Sequence, residues 1–157
     1  MHWHYTIGHH FLIIDKIGAL IPYGGAKNDP LEPNEKQGIW FSTEPFWEPT
    51  AQKWDLVGKL LGMQGTYEKG GGLIRIGIEP NTVKLVSFNR YAKTISAIRA
   101  DGMRLRARLQ GGNCKRHFVT YARVPCEQWA AVERYDGQKW VREEKFAAAS
   151  VSIKREV

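Results

Sequence analysis

The sequence predicts an α+β fold, a mainly antiparallel sheet carrying short helices. Runs rich in β-branched and aromatic residues alternate with runs of helical periodicity over the N-terminal third. Strand-like runs recur at 73–78, 83–88 and 117–121, and an Asp136-Gly137 turn closes a hairpin near the end. A chain of 157 residues, 43% hydrophobic and 25% charged, is large enough to bury a core without staples. We read residues 1–146 as one domain and 147–157 as an exposed tail.

Trp3, His4, Tyr5, Thr6 and Ile7 make a strand that Gly8 stops. Over 10–20, Phe11, Ile13, Ile14 and Ile17 recur at spacings of three and four, and Gly18 stands where a helix ends. Residues 21–37 hold Pro22, Gly24, Gly25, Asn28, Asp29, Pro30, Pro33 and Asn34, which is turn chemistry without periodicity. A loop of that length in a compact domain is usually functional or mobile. Gly38, Ile39, Trp40, Phe41 and Ser42 make the next strand, stopped by Pro45, and Pro49 opens a short helix through Thr50, Ala51, Lys53 and Trp54.

The apolar run 56–61 predicts a buried turn of helix, and Gly70-Gly71-Gly72 a flexible corner before an alternating strand at 73–78. A second strand is expected at 83–88. Residues 91–109 favour helix interrupted near Asp101-Gly102, yet 104–109 also alternate with period two and read equally as a basic strand. A strand at 117–121, a turn at 125–128 and the hairpin of 130–135 with 138–142 complete the series.

The N-terminus shows no basic segment followed by an apolar run and cleavage site, and no run approaches the roughly 18 apolar residues of a membrane span. The expectation is a cytoplasmic protein with no membrane partner. Cys114 and Cys126 flank a predicted strand and are read as free thiols in a reducing compartment. His2, His4, His9 and His10 cluster in sequence, but no carboxylate or cysteine completes a ligand set nearby, so no metal site is expected. The net charge of +7 is concentrated at Arg90, Lys93, Arg99, Arg104, Arg106, Arg108, Lys115 and Arg116, with Asp101 the acid among them. Such a segment is either a solvated basic face or an attractor of phosphates on nucleic acid, nucleotide or acidic partner.

His4-Tyr5-Thr6 on the first strand, a helix directly after it, a Gly/Pro-rich loop, and Gly38-Ile39-Trp40-Phe41-Ser42 leading to Thr50-Ala51 follow one another in that order. This order resembles that of ADP-ribosyltransferases of the poly(ADP-ribose) polymerase and diphtheria-toxin type. The resemblance covers the N-terminal third. It implies a split, mainly antiparallel sheet, NAD as cofactor, and transfer of ADP-ribose to a macromolecular acceptor, as in a toxin or host-conflict effector. The acceptor, protein or nucleic acid, would be recruited through Arg90, Arg99, Arg104, Arg106 and Arg108. By the same resemblance His4, flanked by Tyr5 and Thr6, would hydrogen-bond the adenosine-side ribose. Trp40, in the motif that Ser42 closes, takes the place of the aromatic beside the nicotinamide, and Thr50, with Trp54 nearby, that of the hydroxyl holding its carboxamide. These residue types suit the chemistry, since a planar ring stacks on nicotinamide and a hydroxyl serves its amide.

Two positions depart from the family pattern. Tyr5 follows the strand-one His where the family commonly has Gly, and the strand of 117–123 lacks the acid that in most active members steadies the oxocarbenium-like transition state. Either Glu127, beyond Pro125, supplies the catalytic carboxylate, or the protein lacks transferase activity, or an acid has been replaced at a position such as Ala122. The alternative reading is a basic nucleic-acid- or nucleotide-binding module without catalysis. His4-Tyr5-Thr6 also matches half of the paired His-x-Thr signature of two-histidine phosphodiesterases, but His117 is followed by Thr only at the third position, Thr120.

Overall fold

The computed structural model describes residues 1–23 and 29–146. The chain runs β1 (His2–Ile7), α1 (Gly8–Ile17), β2 (Ala19–Leu20), β3 (Ile39–Ser42), α2 (Gly62–Lys69), β4 (Leu73–Ile78) and β5 (Val86–Ser87). It continues through α3 (Phe88–Tyr91), α4 (Ala97–Leu109), β6 (His117–Thr120), β7 (Val124–Pro125), β8 (Ala131–Tyr135) and β9 (Trp140–Arg142). Single 3-10 turns lie at Pro49–Ala51, Ala92–Thr94, Cys114–Arg116 and Cys126–Gln128. Among the described residues the main sheet has seven strands in the order β5-β6-β3-β1-β4-β8-β9, every neighbouring pair antiparallel, and β2 pairs separately with β7. The fold is therefore α+β with a mainly antiparallel sheet.

The sheet is closely registered on one side of β1 and opens on the other. β1 meets β4 along its whole length, from His2↔Ile78 to Ile7↔Leu73, but meets β3 in register only at Trp3↔Ser42. Beyond that pair the His4 ring takes over from the backbone ladder, its Nδ1 lying 2.9 Å from the Trp40 carbonyl oxygen. An orphaned strand carbonyl is thereby satisfied by a side chain while the two backbones separate.

Alternation along β4 sorts the core. Ile74, Ile76 and Ile78 pack with Phe41, Phe11, Val132 and Trp129 on one face. The other face carries Trp3, Tyr5 and Ala131 with Trp47 and Trp140, and this cover buries Arg75 as well, so all six β4 residues are buried despite their alternating sequence. α1 ends at Gly18, whose φ of 68° is the left-handed cap that lets the chain turn into β2.

Several segments differ from expectation. Residues 56–61 are not a buried helical turn: Leu56 and Val57 are exposed at the tip of a turn in which the Asp55 carboxylate accepts from the Val57 and Lys59 amides, and helix begins only at Gly62. A side chain that satisfies the turn's own amides competes with helix there. The strand expected at 83–88 shrinks to Val86–Ser87. The helical region of 91–109 breaks at Ile95–Ser96 rather than at Asp101-Gly102, because the Ser96 hydroxyl caps α4 by accepting from the Arg99 amide at 3.1 Å. α4 then runs unbroken, which excludes a basic strand at 104–109. The helix opened by Pro49 is a single 3-10 turn. Both cysteines are free and partly buried. No helix among the described residues is long and apolar enough to cross a membrane. The expected tail of 147–157 lies outside the described residues, as do 24–28 of the long loop.

Candidate functional site

A cavity of about 390 Å3 opens where β1 and β3 separate. Consecutive residues of both strands line it, Trp3, His4 and Tyr5 from β1 and Trp40, Phe41 and Ser42 from β3, as expected at a gap between strand edges. The 48–54 segment adds Glu48, Thr50, Ala51 and Trp54, β6 adds His117, and α4 closes the far wall.

The best-anchored group in it is Glu48. Its Oε2 accepts the Ser42 hydroxyl at 2.6 Å, and its Oε1 accepts the Thr50 hydroxyl at 2.8 Å and the Thr50 amide at 3.1 Å. His117 Nε2 lies 3.1 Å from Oε1, off the axis of a directed hydrogen bond. Burial alone would push this carboxyl up, but the His117 contact and the Ser42 and Thr50 donors outweigh it and hold the group down at about 2. Glu48 is thus an ionised, saturated anchor joining β3, the 3-10 turn and β6. Gly112 backs it: a Cβ there would come within 2.7 Å of Thr50 Cγ2 and 3.0 Å of Glu48 Oε1. Gly112→Ala is expected to lower stability by about 1–3 kcal/mol through this overpacking, read as an earlier midpoint in urea.

His4 donates through Nδ1, since a carbonyl only accepts, and its Nε2 is left with a lone pair. Burial lowers its pKa, the Trp40 carbonyl partly offsets this, and the charges of Lys53 and His10 lower it further, so the ring is neutral at pH 7. Trp40 stands edge-on to Tyr91 at 4.9 Å and tilted against Phe88 at 6.2 Å. Tyr91 in turn donates to Glu35 at 2.7 Å, and the Glu32 carboxylate accepts the Ser96 amide at 3.1 Å and the Ser96 hydroxyl. Residues 29–37 of the long loop are thereby fastened to α3 and α4 behind the cavity.

The sequence-predicted residues divide. His4, Tyr5, Trp40, Ser42, Thr50 and Trp54 all line the cavity. Tyr5 is committed elsewhere through its hydroxyl, which donates to the Glu44 carbonyl at 2.6 Å while burial raises its pKa to about 12, and Ser42 is committed to Glu48. Thr6 is buried and does not line the cavity. Glu127 is exposed on the 126–128 turn that follows β7, against the end of α1, and Ala122 lies past the end of β6 opposite to His117. Neither reaches the cavity, and the carboxylate within it is Glu48. Thr120 is buried at that far end of β6, so the cavity holds two histidines, His4 and His117, without a paired His-x-Thr arrangement. Of the basic segment, Arg99 and Arg106 line the cavity, whereas Arg90, Arg104 and Arg108 do not.

Glu48 and His117 escaped the sequence reading as a pair. Pro49 signalled a helical turn, but Glu48 before it, whose carboxylate caps that turn by accepting from the Thr50 amide, carries no cap signal in sequence, because Ser, Thr, Asp and Asn are the preferred caps. Among the described residues no group of His, Cys, Asp and Glu is arranged to hold a metal ion. Comparison with protein families, with curated proteins and with solved structures finds no match.

Proposed function

We propose that the cavity binds NAD or another nucleotide bearing ADP-ribose, in an ADP-ribosyltransferase-like domain. The observation that carries this reading is the convergence of His4, Trp40, Thr50 and Trp54, from separate stretches of the N-terminal third, on one cavity at the opening between β1 and β3. A neutral His4 with a lone pair at Nε2 suits a ribose hydroxyl, and the half-buried Trp40, packed against Tyr91 and Phe88, lines the cavity with an aromatic residue that can stack on a ring. Ligand binding takes precedence over transfer chemistry in this reading. Glu48 has its oxygens occupied by donors, and Glu127 lies outside the cavity, so neither is placed to steady an oxocarbenium ion. Transfer to a macromolecular acceptor would need a further group.

A thermal-shift series with NAD tests the reading, because a ligand that binds only the folded state raises its stability, by about 2.7 kcal/mol at 100 times Kd. We expect a saturable upward shift that Trp40→Ala abolishes. No shift at millimolar NAD, with the protein shown to be folded, would overturn it in favour of a basic nucleic-acid-binding module, whose affinity would fall steeply with salt.

A further inference from the structure

We propose that the α4 wall of the cavity is a phosphate subsite, held by Arg99 and Arg106, which takes the pyrophosphate of a nucleotide. The inference deepens the nucleotide reading above and rests on it for what carries the phosphate. Arg99, Met103, Arg106, Ala107 and Gln110 recur at helical spacing, so one face of α4 presents them together. Ala100 and Ala107, buried and small, let that face approach the body of the protein closely. Outside the lining, α4 carries Arg104, ion-paired with Asp101 at 2.8 Å and lying over the Phe88 ring, and the exposed Arg108. The basic segment is therefore two surfaces, of which one turns inward.

The chemistry of the cavity is one-sided. Its carboxylate, Glu48, is already saturated, and the charged groups of the α4 wall, Arg99 and Arg106, are donors. Arg99 spends one nitrogen on Glu35 at 3.1 Å, while its Nε is buried with no hydrogen-bond partner. Arg106 makes no ion pair among the described residues. Lys53, outside the lining, adds a positive charge that is felt at His4. Two guanidinium groups with spare donors facing a cavity that has no free carboxylate among the described residues call for an anionic ligand with several acceptor oxygens, which a phosphate supplies and a neutral base or sugar does not.

Calorimetric titration of the full chain with ADP-ribose, inorganic pyrophosphate and phosphate-free nicotinamide riboside tests this, using Arg106→Gln, Arg106→Lys and the outward control Arg108→Gln. Arg106 is exposed and in no ion pair among the described residues, so its replacement is expected to leave the fold intact, checked by circular dichroism. We expect Arg106→Gln to weaken ADP-ribose and pyrophosphate about 10-fold or more, with Arg106→Lys partly restoring both. Arg108→Gln should stay within about 2-fold, and any affinity for nicotinamide riboside should be unchanged by all three. Arg106-dependent pyrophosphate binding without NAD binding would uphold the subsite while the dinucleotide reading falls. Equal effects of Arg106→Gln and Arg108→Gln, no binding of either phosphate ligand, or binding confined to single-stranded oligonucleotide would overturn the proposal.

Discussion

Glu48→Ala is expected to lower the stability of the protein by about 3–5 kcal/mol, because it strips one carboxylate from several donors at once. The Ser42 hydroxyl and the Thr50 amide and hydroxyl donate to Glu48, His117 Nε2 lies 3.1 Å from it, and Glu48 is only 5% exposed, so these groups would be stranded in a buried place. The same loss unties β3, the Pro49–Ala51 turn and β6 from one another, and is expected to remove the proposed nucleotide binding along with stability. Glu48→Gln keeps the shape and one acceptor oxygen, and the Ser42 hydroxyl can reorient toward its amide, so a loss of about 1–2 kcal/mol is expected. Urea unfolding measures both. A loss below about 1 kcal/mol for Glu48→Ala would show that the carboxylate does not hold the wall.

The depressed pKa of Glu48 adds a pH dependence of definite sign. The folded group titrates at about 2 against an ordinary 4.5, so as pH falls the unfolded chain takes up this proton first. Its contribution is whole above 4.5 and is lost progressively as pH falls toward 2. Stability measured from pH 6 down to pH 2.5 should fall less steeply in Glu48→Gln than in the parent chain. Identical slopes in the two proteins would remove Glu48 as the cause.

Arg75→Ala is expected to have a comparable effect, about 3–5 kcal/mol, at the opposite side of β1. The Arg75 guanidinium lies between two indoles, 4.0 Å from the Trp3 ring centre and 4.6 Å from that of Trp140, and its Nε donates to Glu133 at 2.6 Å. A further nitrogen donates to the Pro45 carbonyl at 2.5 Å. Removing the cation leaves a mostly covered carboxylate and an unpaired carbonyl, and it empties the space that spaces the two rings. Arg75→Met with Glu133→Met should recover part of the loss, since no charge is then stranded and the methionines fill the volume. A double variant less stable than Arg75→Met alone would contradict an ion-pair origin. Near-ultraviolet circular dichroism should register the changed surroundings of Trp3 and Trp140.

The sequence by itself determined the elements whose signals are local. The strand from Trp3 to Ile7, the helix stopped by Gly18, the strand around Trp40 and the hairpin turned at Asp136-Gly137 stand close to where periodicity and turn chemistry put them. Local pattern failed where a side chain overrode it, as Asp55 does in folding Leu56 and Val57 outward and Ser96 does in setting the start of α4. The order of motifs also grouped His4, Trp40 and Thr50, on two strands and an expected short helix, and all three line one cavity. Only the tertiary structure decided what they face. Register between β3 and β6 sets His117 opposite Ser42, and through it against Glu48; no periodicity within either segment encodes that meeting. The packing of Ala100 and Ala107 decides which arginines of an evenly basic helix turn inward, because helical spacing fixes the faces of α4 but not which of them the rest of the molecule covers.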